Sequence, residues 1–168
     1  MPDSPLFDFS TSPDAAAEWR SIDDVVMGGV SDSTFEPTEA GAAFTGTVSL
    51  ARGGGFASVR APEGPYDLGG AEGLQFRLRG DGKRYWCTVY TTPGGSVSYR
   101  APIEPPEDWA TVEVPFADLV PYRRGTRRPD APPFDPTQVR AFGFLIADEQ
   151  DGPFRLEVAW IRPVGAAS

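Results

Sequence analysis

The chain has 168 residues, with 24 acidic against 15 basic side chains, a net charge of −9 and no His. It holds one Cys (Cys87) and one Lys (Lys83), which excludes Ser-His-Asp and Cys-His catalysis, imidazole metal sites, an intrachain disulfide and a Cys zinc site, and leaves one residue able to form a Schiff base. The acid is dispersed rather than gathered in a tail, which favours solubility and disfavours nucleic acid as a partner. Period-two alternation bounded by Gly and Pro then predicts strands in chain order near 6–9, 34–37, 42–50 and 55–61. Leu74, Phe76 and Leu78 alternate with Gln75, Arg77 and Arg79, and further strands are expected over 84–91 and 97–103. Val112, Val114 and Phe116 alternate next, and Phe142, Phe144 and Ile146 alternate with Gly143 and Leu145, so both faces of that strand should be covered. The last alternation sets Phe154, Leu156, Val158 and Trp160 against Arg155, Glu157 and Ala159.

Turn chemistry separates these segments. Asp81-Gly82 reads as a tight hairpin, because both positions accept positive φ, and Pro93-Gly94-Gly95 reads as another turn. Residues 14–19 and 116–120 each suit one helical turn, and residues 121–136, rich in Arg and Pro, read as a long loop. About ten short strands without βαβ alternation predict an antiparallel β-sandwich, with residues 1–168 forming a single domain. No apolar run approaches the ~18 residues of a membrane span. The first basic side chain is Arg20 and no signal-peptide pattern precedes it, so a cytoplasmic bacterial protein is expected.

The least regular segment runs from Trp19 to Ser31 and contains Asp23, Asp24, Met27, Gly28 and Gly29. Its paired glycines imply positive φ or a close backbone approach. It is either a loop held by an Asp24 cap or a ligand contact, and Arg60 could pair with Asp24 or with a ligand. Gly53-Gly54-Gly55 leads into a strand and lacks the Lys-Ser/Thr of a phosphate loop. Adjacent Asp23 and Asp24 point opposite ways in an extended chain, so they do not make the carboxylate pair of a glycoside hydrolase. Trp86, Thr88 and Tyr90 share one face of their strand, and Tyr85, Cys87 and Val89 the other. One set should face the core and the other the surface, and with Tyr99 and Arg100 on the next strand the exposed set predicts an aromatic and Arg patch suited to a sugar or a protein partner. Cys87 reads as a buried small hydrophobe. Arg123, Arg124, Arg127 and Arg128 form a basic island where an anionic partner could dock.

Four motifs occur in order: Trp19…Asp24-x-Val26-Met27-Gly28-Gly29-x-Ser31, Phe44-x-Gly46-x-Val48-Ser49-Leu50, Gly54-Gly55-Phe56-Ala57-Ser58-x-Arg60, and Gly80-Asp81-Gly82-x-x-Tyr85. Together with Trp109…Val114-Pro115-Phe116 and Phe142-Gly143-Phe144, they make residues 6–162 resemble the CIA30 family, named for the complex I intermediate-associated protein 30. The resemblance implies a galactose-binding-like jelly-roll β-sandwich, similar to carbohydrate-binding modules. It further implies a non-enzymatic, chaperone-like role with a protein partner, such as a subunit of a membrane-associated complex like NADH:ubiquinone oxidoreductase. A carbohydrate-binding module using an aromatic face or the end loops is the alternative, and a glycoside hydrolase the third reading. The residues carried over are Trp19, Asp24, Met27, Gly28, Gly29, Ser31, Arg60, Asp81 and Tyr85, as signature or binding residues and not catalytic ones. Galactose-binding-like domains commonly hold a structural Ca²⁺, for which Asp8, Asp23 and Glu157 are the candidates here. No other cofactor is implied.

Overall fold

Strands that alternate apolar and polar side chains bury one face each, and two such sheets stacked face to face bury both. The computed structural model describes residues 7–9, 11, 18–21, 32–39, 41–49, 56–62, 66, 68–91, 97–123, 126–127, 134–147, 150 and 152–165. Among these the strands are β1 (Phe7–Asp8), β2 (Arg20–Ser21), β3 (Asp32–Pro37), β4 (Ala42–Val48), β5 (Ala57–Arg60), β6 (Ala71–Arg79), β7 (Tyr85–Tyr90), β8 (Val97–Ile103), β9 (Ala110–Pro115), β10 (Val120–Arg123), β11 (Thr126–Arg127), β12 (Ala141–Ile146) and β13 (Gly152–Gly165). One sheet runs β3-β4-β13-β6-β9, with β1 beside β4 on the same side of β13, and the other runs β11-β10-β8-β7-β12-β5-β2. Every pairing is antiparallel, so the molecule is an antiparallel β-sandwich.

The alternating residues do what their spacing predicts, except at Trp160: a bulge between Val158 and Trp160 shifts the register, so Ile161 rather than Trp160 joins the core. Leu74, Phe76 and Leu78 of β6, Phe154, Leu156 and Val158 of β13, and Phe142, Phe144 and Ile146 of β12 join one hydrophobic cluster between the sheets. Phe44 of β4 meets Phe154 edge-on at 4.9 Å and Tyr85 at 6.5 Å, so the two sheets touch through rings. Trp19 lies in the same core. It stacks on Phe35 at 4.7 Å and contacts Phe7, Phe9, Phe142 and Phe144.

Three local expectations need correction. Asp81-Gly82 does not close a hairpin, since β6 belongs to one sheet and β7 to the other. The chain crosses between layers here, and only the Gly82 position takes a left-handed φ, +88°. Residues 121–136 are not one long loop: β10 pairs with β8 and turns back on β11. The missed signal is Val120-Pro121-Tyr122, an alternation too short to stand out beside two Pro-rich stretches. Arg20–Ser21, read as irregular, adds a strand to the edge of β5. The turn at 116–120 is a 3₁₀ turn over Phe116–Asp118, and most of the proposed turn at 14–19 lies outside the described residues. β7 and β8 pair as expected across the Pro93-Gly94-Gly95 segment, whose residues are not among those described.

The crossing at Asp81 is held by its own carboxylate. Oδ1 accepts from the Lys83 amide at 3.2 Å and from the Tyr85 hydroxyl at 3.0 Å, while Oδ2 accepts from the Arg155 amide of β13 at 2.7 Å. One side chain thus ties β13 in the first sheet to β7 in the second. Tyr85 is fully buried, so without Asp81 its hydroxyl would lose the acceptor for its proton. Asp81→Ala is therefore expected to lower stability by ~1.5–3 kcal/mol, the range for a lost hydrogen bond to a charged group. Urea unfolding checks this, and a variant with an unchanged midpoint would show that the crossing does not depend on the carboxylate.

Candidate functional site

Alternation sends Trp86, Thr88 and Tyr90 of β7 to the outer face of the seven-stranded sheet. Tyr85, Cys87 and Val89 go to the core. Register then decides what joins them. Trp86 lies opposite Pro102, Thr88 opposite Arg100 and Tyr90 opposite Ser98 on β8. Arg100 and Ser98 lie opposite Val120 and Tyr122 on β10. On the other side, Tyr90, Thr88 and Trp86 face Ala141, Gly143 and Leu145 of β12, and Gly143 and Leu145 face Arg60 and Ser58 of β5. Arg20 of β2 completes the row opposite Arg60.

The outer face is thus an aromatic and Arg surface. Trp86 meets Tyr122 edge-on at 5.9 Å. The Arg100 guanidinium sits 4.9 Å from the Tyr122 ring centroid, and its Nε donates to the Ser98 hydroxyl at 3.1 Å. The Arg60 guanidinium sits 3.9 Å from the Tyr90 centroid, with its buried Nε lacking a hydrogen-bond partner. Arg60 reaches across β12 to do this. The strand registers place no Asp or Glu on this face among the described residues, so it offers no acid–base pair.

Of the residues singled out in the sequence, Trp86, Arg60 and Arg100 come together on this face. Tyr99 does not join them: its register opposite Val89 turns it inward, where it is 4% exposed and meets Phe134 at 5.4 Å. Trp19 lies in the core, its buried indole N–H without a hydrogen-bond partner. Asp81 and Tyr85 serve the layer crossing, where burial and the neighbouring Asp81 push the Tyr85 hydroxyl pKa upward. Burial pushes the Cys87 thiol up to about 12, which suits a packing residue rather than a nucleophile. Asp23, Asp24, Met27, Gly28, Gly29, Ser31, Arg124 and Arg128 lie outside the described residues, and Arg123 and Arg127 are described as backbone of β10 and β11. Tyr122 and Arg20 were not singled out. Tyr122 sat in a segment read as loop, and Arg20 acquires meaning only from its register with Arg60.

The opposite sheet handles charge differently. Glu157 of β13, 7% exposed, accepts from Arg79 Nε at 2.5 Å and from an Arg155 terminal nitrogen at 3.3 Å. Arg79 also covers Trp109 and Arg162 covers Trp160. Two guanidiniums thus occupy the Glu157 carboxylate, while Asp8 receives the Thr11 amide at 3.3 Å on β1. Among the described residues no three carboxylate or thiol groups gather as a metal site. No helix among them is long and apolar enough to cross a membrane.

The model of the complex I intermediate-associated protein 30 (CIA30) family matches residues 7–158. No curated protein matches the chain. A family 11 carbohydrate-binding module of a cellulosomal cellulase of Clostridium thermocellum superposes with a TM-score of 0.70 at 16% identity, covering 99% of this chain and 96% of that one. The family 11 module of the same organism in complex with a β-1,3-1,4-mixed-linked tetrasaccharide gives 0.68 at 17% identity, covering 99% and 97%. A family 30 carbohydrate-binding module of a Clostridium thermocellum cellulosomal cellulase gives 0.61 at 13% identity, covering 100% and 96%. These likenesses show that the chain shares the β-sandwich fold of these modules.

A Cβ at Gly143 would lie 1.9 Å from the Val59 carbonyl oxygen. Gly143→Ala is expected to cost ~1–3 kcal/mol as an overpacked site, measured by urea unfolding; an unchanged midpoint would disprove the close approach. A second prediction concerns pH. Burial raises the Glu157 pKa, but hydrogen bonds and charge from Arg79 and Arg155 outweigh it and hold the carboxyl below its ordinary 4.5. A lowered native pKa adds stability above the unfolded-chain value, and that gain is lost as pH falls through the native value. Wild-type stability should therefore drop below about pH 4.5 more steeply than that of Glu157→Gln. Parallel pH profiles would contradict this.

Proposed function

The chain belongs to the complex I intermediate-associated protein 30 family, and from that premise we propose that it is a non-catalytic binding module that docks a protein partner on the outer face of its seven-stranded sheet. The observation that carries this reading is the row of Trp86, Tyr90 and Tyr122 interleaved with Arg60 and Arg100. Trp, Tyr and Arg are the residues that dominate protein–protein hot spots. Two of the three rings carry a guanidinium from this same chain over one face, which leaves less open ring for a sugar to stack on. Family membership supports a partner that is a subunit of a multi-subunit complex under assembly, such as a respiratory complex, held in a chaperone-like manner. A glycoside hydrolase would need two carboxylates roughly 5–9.5 Å apart, and this face registers none among the described residues.

A second reading is carbohydrate binding. The fold shared with the family 11 and family 30 modules supports it, as does the aromatic content of the same face.

Affinity capture from native extract separates the two. With the protein reading, one protein should be recovered repeatedly, lost with Trp86→Ala or Tyr122→Ala, and retained with Arg77→Gln on the other sheet. A hot-spot truncation of ~2 kcal/mol would weaken binding about thirtyfold. Capture unaffected by Trp86→Ala would refute the docking face. Glycan-array binding lost with Trp86→Ala would replace the protein reading with the carbohydrate one.

A further inference from the structure

We propose that the partner docks through an acidic segment, whose carboxylates enter between Arg20 and Arg60 at one end of the outer face. This rests on the docking face argued above and names the chemistry it recognises.

The first observation is a conflict of charge. Arg20 of β2 and Arg60 of β5 are direct cross-strand partners. Like charges directly opposite each other in an antiparallel pair destabilise the sheet. The chain has 24 acids against 15 bases, so acids to relieve the clash are in excess. Among the described residues neither arginine has an ion pair; the ion pairs there join Arg79 and Arg155 to Glu157 and Lys83 to Asp81.

The second observation is an unused donor. The Nε of Arg60 is buried without a hydrogen-bond partner, and its guanidinium is held 3.9 Å from the Tyr90 ring centroid. That nitrogen is shielded from water and the guanidinium is held against the ring, so an arriving anion meets a preorganised donor group.

The third observation concerns sign. The charged residues that the registers place on this face are Arg20, Arg60, Arg100 and Arg127, all cationic, on a chain of net charge −9. A neutral sugar presents hydroxyls that donate as well as accept, and a face that reads it needs both. An ionised carboxylate only accepts, which matches guanidiniums that only donate. The row from β2 to β10 crosses five strand spacings, roughly 24 Å, a length that suits an extended peptide rather than a single small anion. The Trp86 and Tyr122 rings at the far end would receive its apolar side chains.

The test uses the whole chain and a short fluorescein-labelled poly-L-glutamate peptide read by fluorescence anisotropy, with polygalacturonate and inorganic phosphate as comparators. Binding is expected despite the net negative charge, weakened about tenfold by Arg20→Gln and by Arg60→Gln, and weakened by added salt. Arg77→Gln should leave it unchanged. Arg20→Gln also removes the like-charge clash, so its melting temperature should hold or rise while binding falls; that combination marks a lost contact rather than a lost fold. The inference is overturned if both variants bind normally. It is equally overturned if binding disappears only when Arg123, Arg124, Arg127 and Arg128 are replaced by Gln, or if polygalacturonate or phosphate binds and poly-L-glutamate does not. If poly-L-glutamate fails while Trp86→Ala still abolishes partner capture, the acidic segment falls and the docking face stands. If capture too ignores Trp86→Ala, the docking face falls with it.

Discussion

In a stack of two antiparallel sheets, each strand owes one face to the core. That constraint sorts the aromatic side chains of this protein into two sets. β7 shows it within six residues: Tyr85, Cys87 and Val89 enter the cluster shared with β4, β12 and β13, which forces Trp86, Thr88 and Tyr90 outward. The inward set supplies the stabilising burial, at ~1.5–3 kcal/mol for a large apolar side chain. The outward set takes no part in the inter-sheet core and forms the outer face, where Thr88 is itself buried. A one-residue slip of β7 would exchange the two sets and empty both the core and the surface of their chemistry.

The two outer faces use arginine in opposite ways. On the six-stranded sheet, Arg79 and Arg155 converge on Glu157, and Arg162 donates to Gln75 at 2.6 Å while covering Trp160. Those side chains satisfy one another. On the seven-stranded sheet, Arg60 and Arg100 lie over tyrosines, and the registers supply no carboxylate. Cation–π contact holds a guanidinium in position without neutralising its charge. The first face therefore pairs its charges with one another, whereas the second carries guanidiniums over rings. At Gly143 the missing side chain permits the close approach of the Val59 carbonyl in the β12–β5 pair.

Much of the architecture was legible in the alternation, because period two is a local property of the chain. Phe142, Phe144 and Ile146 read as buried, and the whole of β12 is buried on both faces. Cys87 read as a packing residue, and its burial agrees. The errors share a cause. Asp81-Gly82 carries hairpin chemistry, yet the chain uses it to pass between layers, with the Asp81 carboxylate anchored on Arg155 from a distant strand. Tyr99 was grouped with Arg100 because they are neighbours in sequence, whereas adjacent residues on a strand face opposite ways. Tyr122 was hidden in a Pro-rich stretch whose pairing with β8 no local pattern announces.

By itself the sequence settled the strand-rich, antiparallel character of the fold, the side-chain sets that share a face, and the absence of histidine chemistry. It also carried the family signature. Tertiary structure decided which strands lie side by side, and with them every relationship of the candidate site. Arg20 and Arg60 are forty positions apart in the chain but opposite each other in the sheet, and Tyr90 reaches Arg60 only across β12. The physical reason is that alternation depends on the geometry of one strand, whereas register depends on hydrogen bonds between strands that are distant in sequence.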